Sequence, residues 1–118
     1  MHNITLNSPW FEYVRDGQKI YEGRRRTTIT DLLNIGDILI INHHTDPTNN
    51  NNFQVEITQF IHFKTFEDAL NVLPLEQVLP SINSINDGIE VYKKYVSIPT
   101  QINDGITMIK IKNISIID

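Results

Sequence analysis

The sequence predicts an α+β protein, a small mixed β-barrel of about five to six strands with two to three flanking helices. Candidate strands outnumber candidate helices, and the two kinds of element are not regularly interleaved along the chain. Residues 53–63 keep a period of two over a long stretch, as a half-buried strand does. Because 118 residues have room for one hydrophobic core, we expect residues 1–118 to form a single domain.

The composition is that of an ordinary globular protein, with 40% hydrophobic and 20% charged residues. The absence of cysteine excludes disulfides, thiol nucleophiles and thiolate zinc sites. The first residues lack the pattern of a secretory signal, and no stretch approaches the ~18 apolar residues of a membrane span. We therefore expect a soluble, cytoplasmic or nuclear protein without a membrane partner. Phosphate-loop and dinucleotide motifs do not occur, and we expect no cofactor.

The first elements are a strand and a helix. Residues 2–6 are short and partly β-branched, which favours a strand. A helix is expected over residues 9–16, because Ser8 can cap the first free amides and Pro9 fits the first helical position. Gly17 fits the left-handed residue that ends such a helix.

The next elements are two strands separated by turns. Residues 19–26 are too short for another helix and are predicted to form a strand. Alternation would place Lys19, Tyr21, Gly23 and Arg25 on one face, and Ile20, Glu22, Arg24 and Arg26 on the other. Residues 38–41 are continuously apolar, which indicates a strand buried on both faces. A single helical turn at residues 30–33 and a turn at residues 36–37 lie between the two strands.

Residues 43–52 are rich in asparagine and turn formers, so we expect a mobile hairpin tip there. This segment contains His43, His44 and Asp46, which are metal-ligating residue types. Adjacent side chains of an extended segment point apart, however. A solvated loop without a metal is therefore the favoured interpretation.

The second half of the chain supplies the remaining elements. The predicted strand over residues 53–63 has a polar residue, Gln59, in its inward series. Such a residue stands either at a β-bulge or beside an interior cavity, and the bulge is favoured. Capping residues and apolar spacing predict helices over residues 66–73 and 85–96, and residues 106–112 alternate as a closing strand would.

Basic residues are concentrated in one segment. Five basic residues (Arg15, Lys19, Arg24, Arg25 and Arg26) lie with two acidic ones between positions 15 and 26. The segment therefore carries +3, and because the chain carries −4, the remainder carries −7. A protein that follows a nucleic-acid backbone without sequence preference normally has a broad basic face. One small patch argues against a tight, sequence-blind RNA binder.

Two interpretations of the basic segment are open. The structural one is a solvated edge strand in which Glu22 pairs with Arg24 or Arg25. The functional one is a recognition site in which cations bind phosphate, an aromatic ring stacks on a base, and Glu22 accepts from a base amine. The candidate ligand-binding residues are Trp10, Lys19, Tyr21, Glu22, Arg24 and Arg25.

These residues also resemble those of a known family. The pattern consists of Ser8-Pro9-Trp10-Phe11, Tyr13, Gly17-x-Lys19-x-x-Glu22-x-Arg24, Ile35-Gly36-Asp37 and Gly88-x-x-Val91-Tyr92-x-x-Tyr95. It is similar to that of ASCH domains, which are PUA-like proteins, and the similarity spans nearly the whole chain. The resemblance implies a PUA-like barrel with a cleft beside it. Members of this group are thought to bind RNA or modified nucleosides, and some act on nucleic acid as enzymes.

The resemblance places Lys19, Glu22 and Arg24 in the cleft. It also implies that Tyr13, on the preceding helix, and Ser97, after the last helix, complete a polar cluster with the lysine. In the branch that hydrolyses acylated cytidine, a threonine stands three residues after the motif lysine. This chain has Glu22 there, which weakens the transfer of that activity. A partly desolvated lysine beside an arginine could still act as a base or nucleophile.

Three hypotheses about function follow. The leading one is an RNA- or nucleotide-binding module that reads a base or a short single-stranded segment in the cleft. The rival is a hydrolase, amidohydrolase- or ribonuclease-like, acting on RNA or a modified nucleoside. Its catalytic candidates are Lys19, Glu22, Tyr13 and Ser97, with the lysine as base or nucleophile. The third is an interaction domain with a vestigial cleft, in which mutual salt bridges lock the motif residues and no pocket is open.

Overall fold

A computed structural model of the chain describes residues 2–45 and 52–114. These residues form five strands and six helices. In chain order they are β1 (His2–Leu6), α1 (Trp10–Arg15), β2 (Tyr21–Arg25), α2 (Thr28–Asp31), β3 (Ile38–His43), β4 (Phe53–Phe63), α3 (Phe66–Val72), α4 (Leu75–Val78), α5 (Ile85–Lys93), α6 (Ile98–Asp104) and β5 (Ile106–Asn113). Residues 46–51 of the expected hairpin tip lie outside the described residues.

The five strands form one curled, half-barrel sheet in the order β1-β3-β4-β5-β2. β1 pairs with β3 in parallel, and the other neighbouring pairs are antiparallel. β1 and β2 are therefore the two edges of the sheet. The α+β class and the five-stranded mixed sheet are confirmed. The register between β4 and β5 shifts between Ile57 and Gln59, which confirms the predicted bulge.

The described residues contain more helices than the two to three expected. The additional ones are short, with four residues in α2 and in α4 and seven in α6. Local capping defines two of them: Thr27 and Thr30 form a capping box at α2, and Ser97 caps α6. One or two turns are too short to show an apolar period, so spacing did not reveal α4 and α6, whereas α2 overlaps the single helical turn predicted at residues 30–33. No helix in residues 2–45 and 52–114 is long and apolar enough to cross a membrane.

The start of α1 differs from the expectation. Pro9 stands at the N-cap position, and Ser8 caps no amide. The Ser8 hydroxyl instead donates to the carboxylate of Glu12 at 2.9 Å. The end of the helix is as expected, because Gly17 has a φ of +83°, in the left-handed region that glycine adopts readily.

Apolar side chains cover both faces of the sheet. One cluster lies toward α1 and the other under α3, α4 and α5. The closing strand β5 contributes to both, with Ile109 and Ile111 in the first cluster and Ile106 and Met108 in the second. Successive side chains of a strand point to opposite faces, so one strand can join two cores.

Candidate functional site

A cavity of about 730 Å³ lies between the two edge strands of the sheet. All five residues of β1 line one side, and residues 22–25 of β2 line the other. Residues around α2 and from the second half of α5 form further walls. A concave site of this size, with a mostly apolar wall and a few convergent polar groups, is typical of small-molecule binding.

Lys19 is buried at this cavity, with 3% of the residue exposed. Its ammonium donates to the backbone carbonyl of Val78, and it lies 4.0 Å from Oε1 of Glu22 and 5.7 Å from the ring centroid of Trp10. Burial lowers the pKa of Lys19 from 10.5 to about 8, because the charged form loses its hydration. The Glu22 carboxylate opposes this shift, and the Arg24 guanidinium adds to it. Lys19 is therefore partly neutral near pH 8.

The strand expected over residues 19–26 is shorter in the structure, where β2 runs from Tyr21 to Arg25. The strand begins only at Tyr21, so Lys19 lies before the regular extended backbone. Its ammonium lies 4.0 Å from Oε1 of Glu22. Lys19 contacts Val78 and Trp10, which pack in the same apolar cluster as Tyr21, and it also reaches Glu22.

Glu22 connects two cations. Its Oε2 accepts a hydrogen bond from Nε of Arg24 at 2.7 Å, and its Oε1 faces the ammonium of Lys19. The side chain of Arg24 is 38% exposed, whereas that of Glu22 is 10% exposed. One carboxylate between two cations leaves the cluster with a charge of +1 when the lysine is protonated. A partly open site with this charge favours an anion.

The other arginines of the basic segment are paired with acidic neighbours. Arg25 lines the cavity and lies 2.9 Å from Asp104, and this hydrogen bond holds the pKa of the Asp104 carboxyl below its ordinary value. Two further pairs are Arg15 with Asp16 at 3.0 Å and Arg26 with Asp31 at 2.9 Å. Much of the positive charge seen in the sequence is therefore compensated locally.

The structure brings some of the candidate residues together and leaves others outside. Trp10 lines the cavity beside Lys19. The three that do not line it are Tyr13, Tyr21 and Ser97. Tyr13 packs against Trp10 with ring centroids 6.0 Å apart. Tyr21 belongs to the apolar cluster under α3, α4 and α5, and the ammonium of Lys110 lies over its ring. Ser97 was expected to follow the last helix. A further helix, α6, begins directly after it, and Ser97 caps that helix.

Tyr92 is a cavity residue that sequence reasoning named in the family pattern and in a helix but not among the candidate site residues. Its ring stacks on Phe66 with centroids 3.9 Å apart and planes 3° from parallel. Its hydroxyl is buried and has no hydrogen-bond partner among the described residues. Burial raises the pKa of the phenol, the Glu22 carboxylate adds to this, and Arg24 opposes it. The hydroxyl therefore stays protonated and can donate a hydrogen bond.

A metal centre has no counterpart in the described residues, where no three His, Asp or Glu side chains are placed to hold an ion. Asp46 lies outside the described residues. His43 contacts the start of α1, with Nε2 2.9 Å from the hydroxyl of Ser8.

The comparisons with known proteins agree with this architecture. Hypothetical protein PH0355 matches with a TM-score of 0.83 at 24% identity, over 95% of this chain and 97% of that one. Protein PF0455 from Pyrococcus furiosus matches with a TM-score of 0.73 at 22% identity, over 96% of each chain. An ASCH protein from Zymomonas mobilis matches with a TM-score of 0.65 at 14% identity, over 93% of this chain and 65% of that one. At these identities the likeness shows a shared fold.

No curated protein matches the sequence. The family model of the ASCH domain matches residues 4–114, which is nearly the whole chain and includes β2, the last three residues of β1 and the cluster of Lys19, Glu22 and Arg24. The chain belongs to the ASCH domain family.

Proposed function

We propose that this protein binds RNA or a nucleotide and reads a base or a short single-stranded segment in the cavity between β1 and β2. The family is PUA-like and is generally thought to bind RNA. The observation that carries the proposal is the cluster of Lys19, Glu22 and Arg24 set into a cavity of about 730 Å³. A nucleotide is planar and apolar on its base faces and anionic at its phosphate, and this cavity combines both properties.

Each part of the cavity has a role in this proposal. Arg24 is partly exposed and commits its Nε to Glu22, and its terminal nitrogens carry four further N–H donors suited to phosphate. The ring of Trp10 offers a surface on which a base can stack. The Glu22 carboxylate can accept from a base amine. Lys19 supports that carboxylate from the buried side.

The charge distribution favours a short ligand over a long nucleic-acid backbone. The chain carries −4, and Arg15, Arg25 and Arg26 are each paired with an aspartate. Non-specific binding depends on neutralising several phosphates together. A single cation cluster beside an apolar cavity instead fits one nucleotide unit.

The vestigial-cleft hypothesis fits less well. It required mutual salt bridges and no open pocket. The salt bridges are present, with Glu22 facing both Lys19 and Arg24. The cavity is present as well, which favours a binding function.

Affinity measurements with nucleotides and short single-stranded RNAs test the proposal. Arg24→Ala should weaken binding at least about tenfold, since it removes a charged contact worth about 1.5–3 kcal/mol. Lys19→Ala should also weaken binding, because the Glu22 carboxylate loses the cation that supports it. Arg15→Ala is the matched control, because Arg15 is an exposed arginine paired with Asp16 and does not line the cavity. Far-ultraviolet circular dichroism checks that each variant is folded. Unchanged affinity in both cavity variants would contradict the proposal.

The pKa of Lys19 favours a second candidate, an amidohydrolase- or ribonuclease-like enzyme. A lysine with a pKa of about 8 beside Glu22 could act as a base or nucleophile on RNA or a modified nucleoside. Tyr13 and Ser97, the expected assistants, do not line the cavity. Mass spectrometry of nucleosides, acylated nucleosides and short RNAs incubated with the protein tests for turnover. Product formation by the wild type that is absent with Lys19→Met would establish the enzyme.

A further inference from the structure

The hydroxyl of Tyr92 is an unpaired polar group in the wall of the cavity. Tyr92 is only 7% exposed, and its oxygen has no hydrogen-bond partner among the described residues. The large majority of buried side-chain polar atoms in proteins are hydrogen-bonded, so a group of this kind requires an explanation. The other buried charged groups at the cavity, Lys19 and Glu22, all have partners.

The packing around Tyr92 holds this hydroxyl against β2. The ring stacks on Phe66, and the oxygen lies 3.0 Å from the position that a Cβ atom on Gly23 would occupy. Gly23 stands between Glu22 and Arg24 in the sequence. The hydroxyl is therefore held against the backbone of β2 at Gly23, and the charges of Glu22 and Arg24 lie close enough to act on the Tyr92 phenol.

The pairing of β2 with β5 determines the direction in which the backbone N–H and C=O of Gly23 point. Ile111 donates to the carbonyl of Ile20 and Arg26 donates to that of Gly105, at the two ends of the β2–β5 ladder. Hydrogen-bonded pairs alternate along an antiparallel ladder, so the backbone N–H and C=O of Gly23 point away from β5, toward the free edge. The edge beside Tyr92 therefore offers backbone donors and acceptors as well.

We infer that Tyr92 determines the ligand specificity of the cavity by donating its hydroxyl hydrogen bond to an acceptor atom of a bound heterocycle. The Glu22 carboxylate accepts from an N–H group on the same ring. The ligand class is therefore a planar nitrogen heterocycle with an acceptor close to a donor, a pattern that nucleobases present on their edges. This inference rests on the proposed function and adds to it the residue that distinguishes a base from a plain aromatic ring.

The experiment uses Tyr92→Phe, which removes the hydroxyl and keeps the ring stacked on Phe66. The probes are adenosine and cytidine, each with an analogue in which one ring nitrogen acceptor is replaced by C–H. The wild type should bind at least one parent nucleoside at least tenfold more tightly than its analogue. Tyr92→Phe should lose that preference and bind both with the affinity that the wild type has for the analogue.

Thr107→Val is the matched control for the loss of a buried hydroxyl. Thr107 is fully buried, does not line the cavity, and its hydroxyl lies 2.8 Å from Nδ1 of His62. Thr107→Val should lower the Tm and keep the preference for the parent nucleoside. Tyr92→Phe should not lower the Tm of the ligand-free protein, because no partner is left unpaired.

The outcomes are distinguishable. If Tyr92→Phe keeps the wild-type preference while Arg24→Ala weakens binding, the inference is overturned and the proposed function stands. A fall in the Tm of ligand-free Tyr92→Phe as large as that of Thr107→Val also overturns it, since the hydroxyl would then have a structural partner. Failure of the wild type to bind any nucleoside, nucleotide or short RNA overturns both proposals.

Discussion

Nε of Arg24 donates to Oε2 of Glu22 at 2.7 Å, although the two residues are separated along the chain only by Gly23. Residues two apart in a strand point to the same side, so this pair forms without distortion of β2. The other oxygen of Glu22 faces the buried ammonium of Lys19 at 4.0 Å. One carboxylate thus supports two cations.

Glu22→Gln should destabilise the protein by about 2 kcal/mol, because it leaves a buried lysine and a partly buried arginine without their counter-charge. Urea denaturation at pH 7 measures the change in the free energy of unfolding. Glu90→Gln is the control, since Glu90 is 66% exposed and pairs with Lys93 on the surface of α5. The control should change stability by less than about 0.5 kcal/mol. Equal effects of the two substitutions would contradict the role of Glu22.

The stability of the protein should rise with pH through the titration of Lys19. Its pKa is about 8 in the folded protein and 10.5 in the absence of burial. Between these values the unfolded chain binds more protons than the folded one, so the free energy of unfolding increases with pH. Below pH 8 the burial of the charged lysine opposes folding in full.

Lys19→Met should remove this pH dependence. The difference in unfolding free energy between wild type and Lys19→Met should shift by about 2 kcal/mol in favour of the wild type between pH 7 and pH 9.5. Lys64→Met, which removes an exposed lysine, should keep the wild-type dependence. A difference that stays constant over this range is the result that speaks against a perturbed lysine.

Gly23→Ala should destabilise the protein by about 1–3 kcal/mol through overpacking. A Cβ atom there would lie 2.7 Å from Cε1 of Phe66 and 3.0 Å from both Sδ of Met108 and the hydroxyl of Tyr92. The cost should be smaller in a Tyr92→Phe background, because one of these three contacts is removed. Thermal or urea unfolding of the two single variants and the double variant measures this coupling. Additive effects would show that the hydroxyl does not contact the strand.

Gln101→Leu should destabilise the protein by about 2–4 kcal/mol. The buried Gln101 amide accepts from the N–H of Phe66 and donates to the carbonyl of Val96, each at 2.9 Å. Both backbone groups lose their partner when the amide is removed. Asn103→Ala, an exposed change on the same helix, should alter stability by less than about 0.5 kcal/mol. Chemical denaturation compares the two, and similar effects would mean that the amide bonds contribute little.

The strands and longer helices could be predicted because their signals are local. The period of two over residues 53–63 gave the bounds of β4, and the capping residues Thr65 and Ser84 both accept from the expected backbone amides. Which strands pair is not a local property. The parallel pairing of β1 with β3 leaves β1 at an edge, and no periodicity in either strand indicates that partner.

The residues of the candidate site likewise divide into those that the sequence indicated and those that it did not. Lys19 and Glu22 stood out because charged residues near a core need partners, and the structure supplies them. Tyr92 did not stand out, because a tyrosine in an apolar helical stripe is usually a core residue. Tyr13 and Ser97 were inferred from resemblance, and neither side chain lines the cavity.

Within residues 2–45 and 52–114, β1 and β2 each have one strand neighbour, so the cavity lies where the two edges of a closed barrel would meet. A ligand that contacts both strands connects these two edges of the sheet. Such a ligand binds the protein molecules in which β1 is paired with β3, and it therefore stabilises that pairing by mass action. Separation of β1 from β3 removes one wall of the cavity. For any ligand held by both edges, release of the ligand and local unfolding of β1 are therefore a single event.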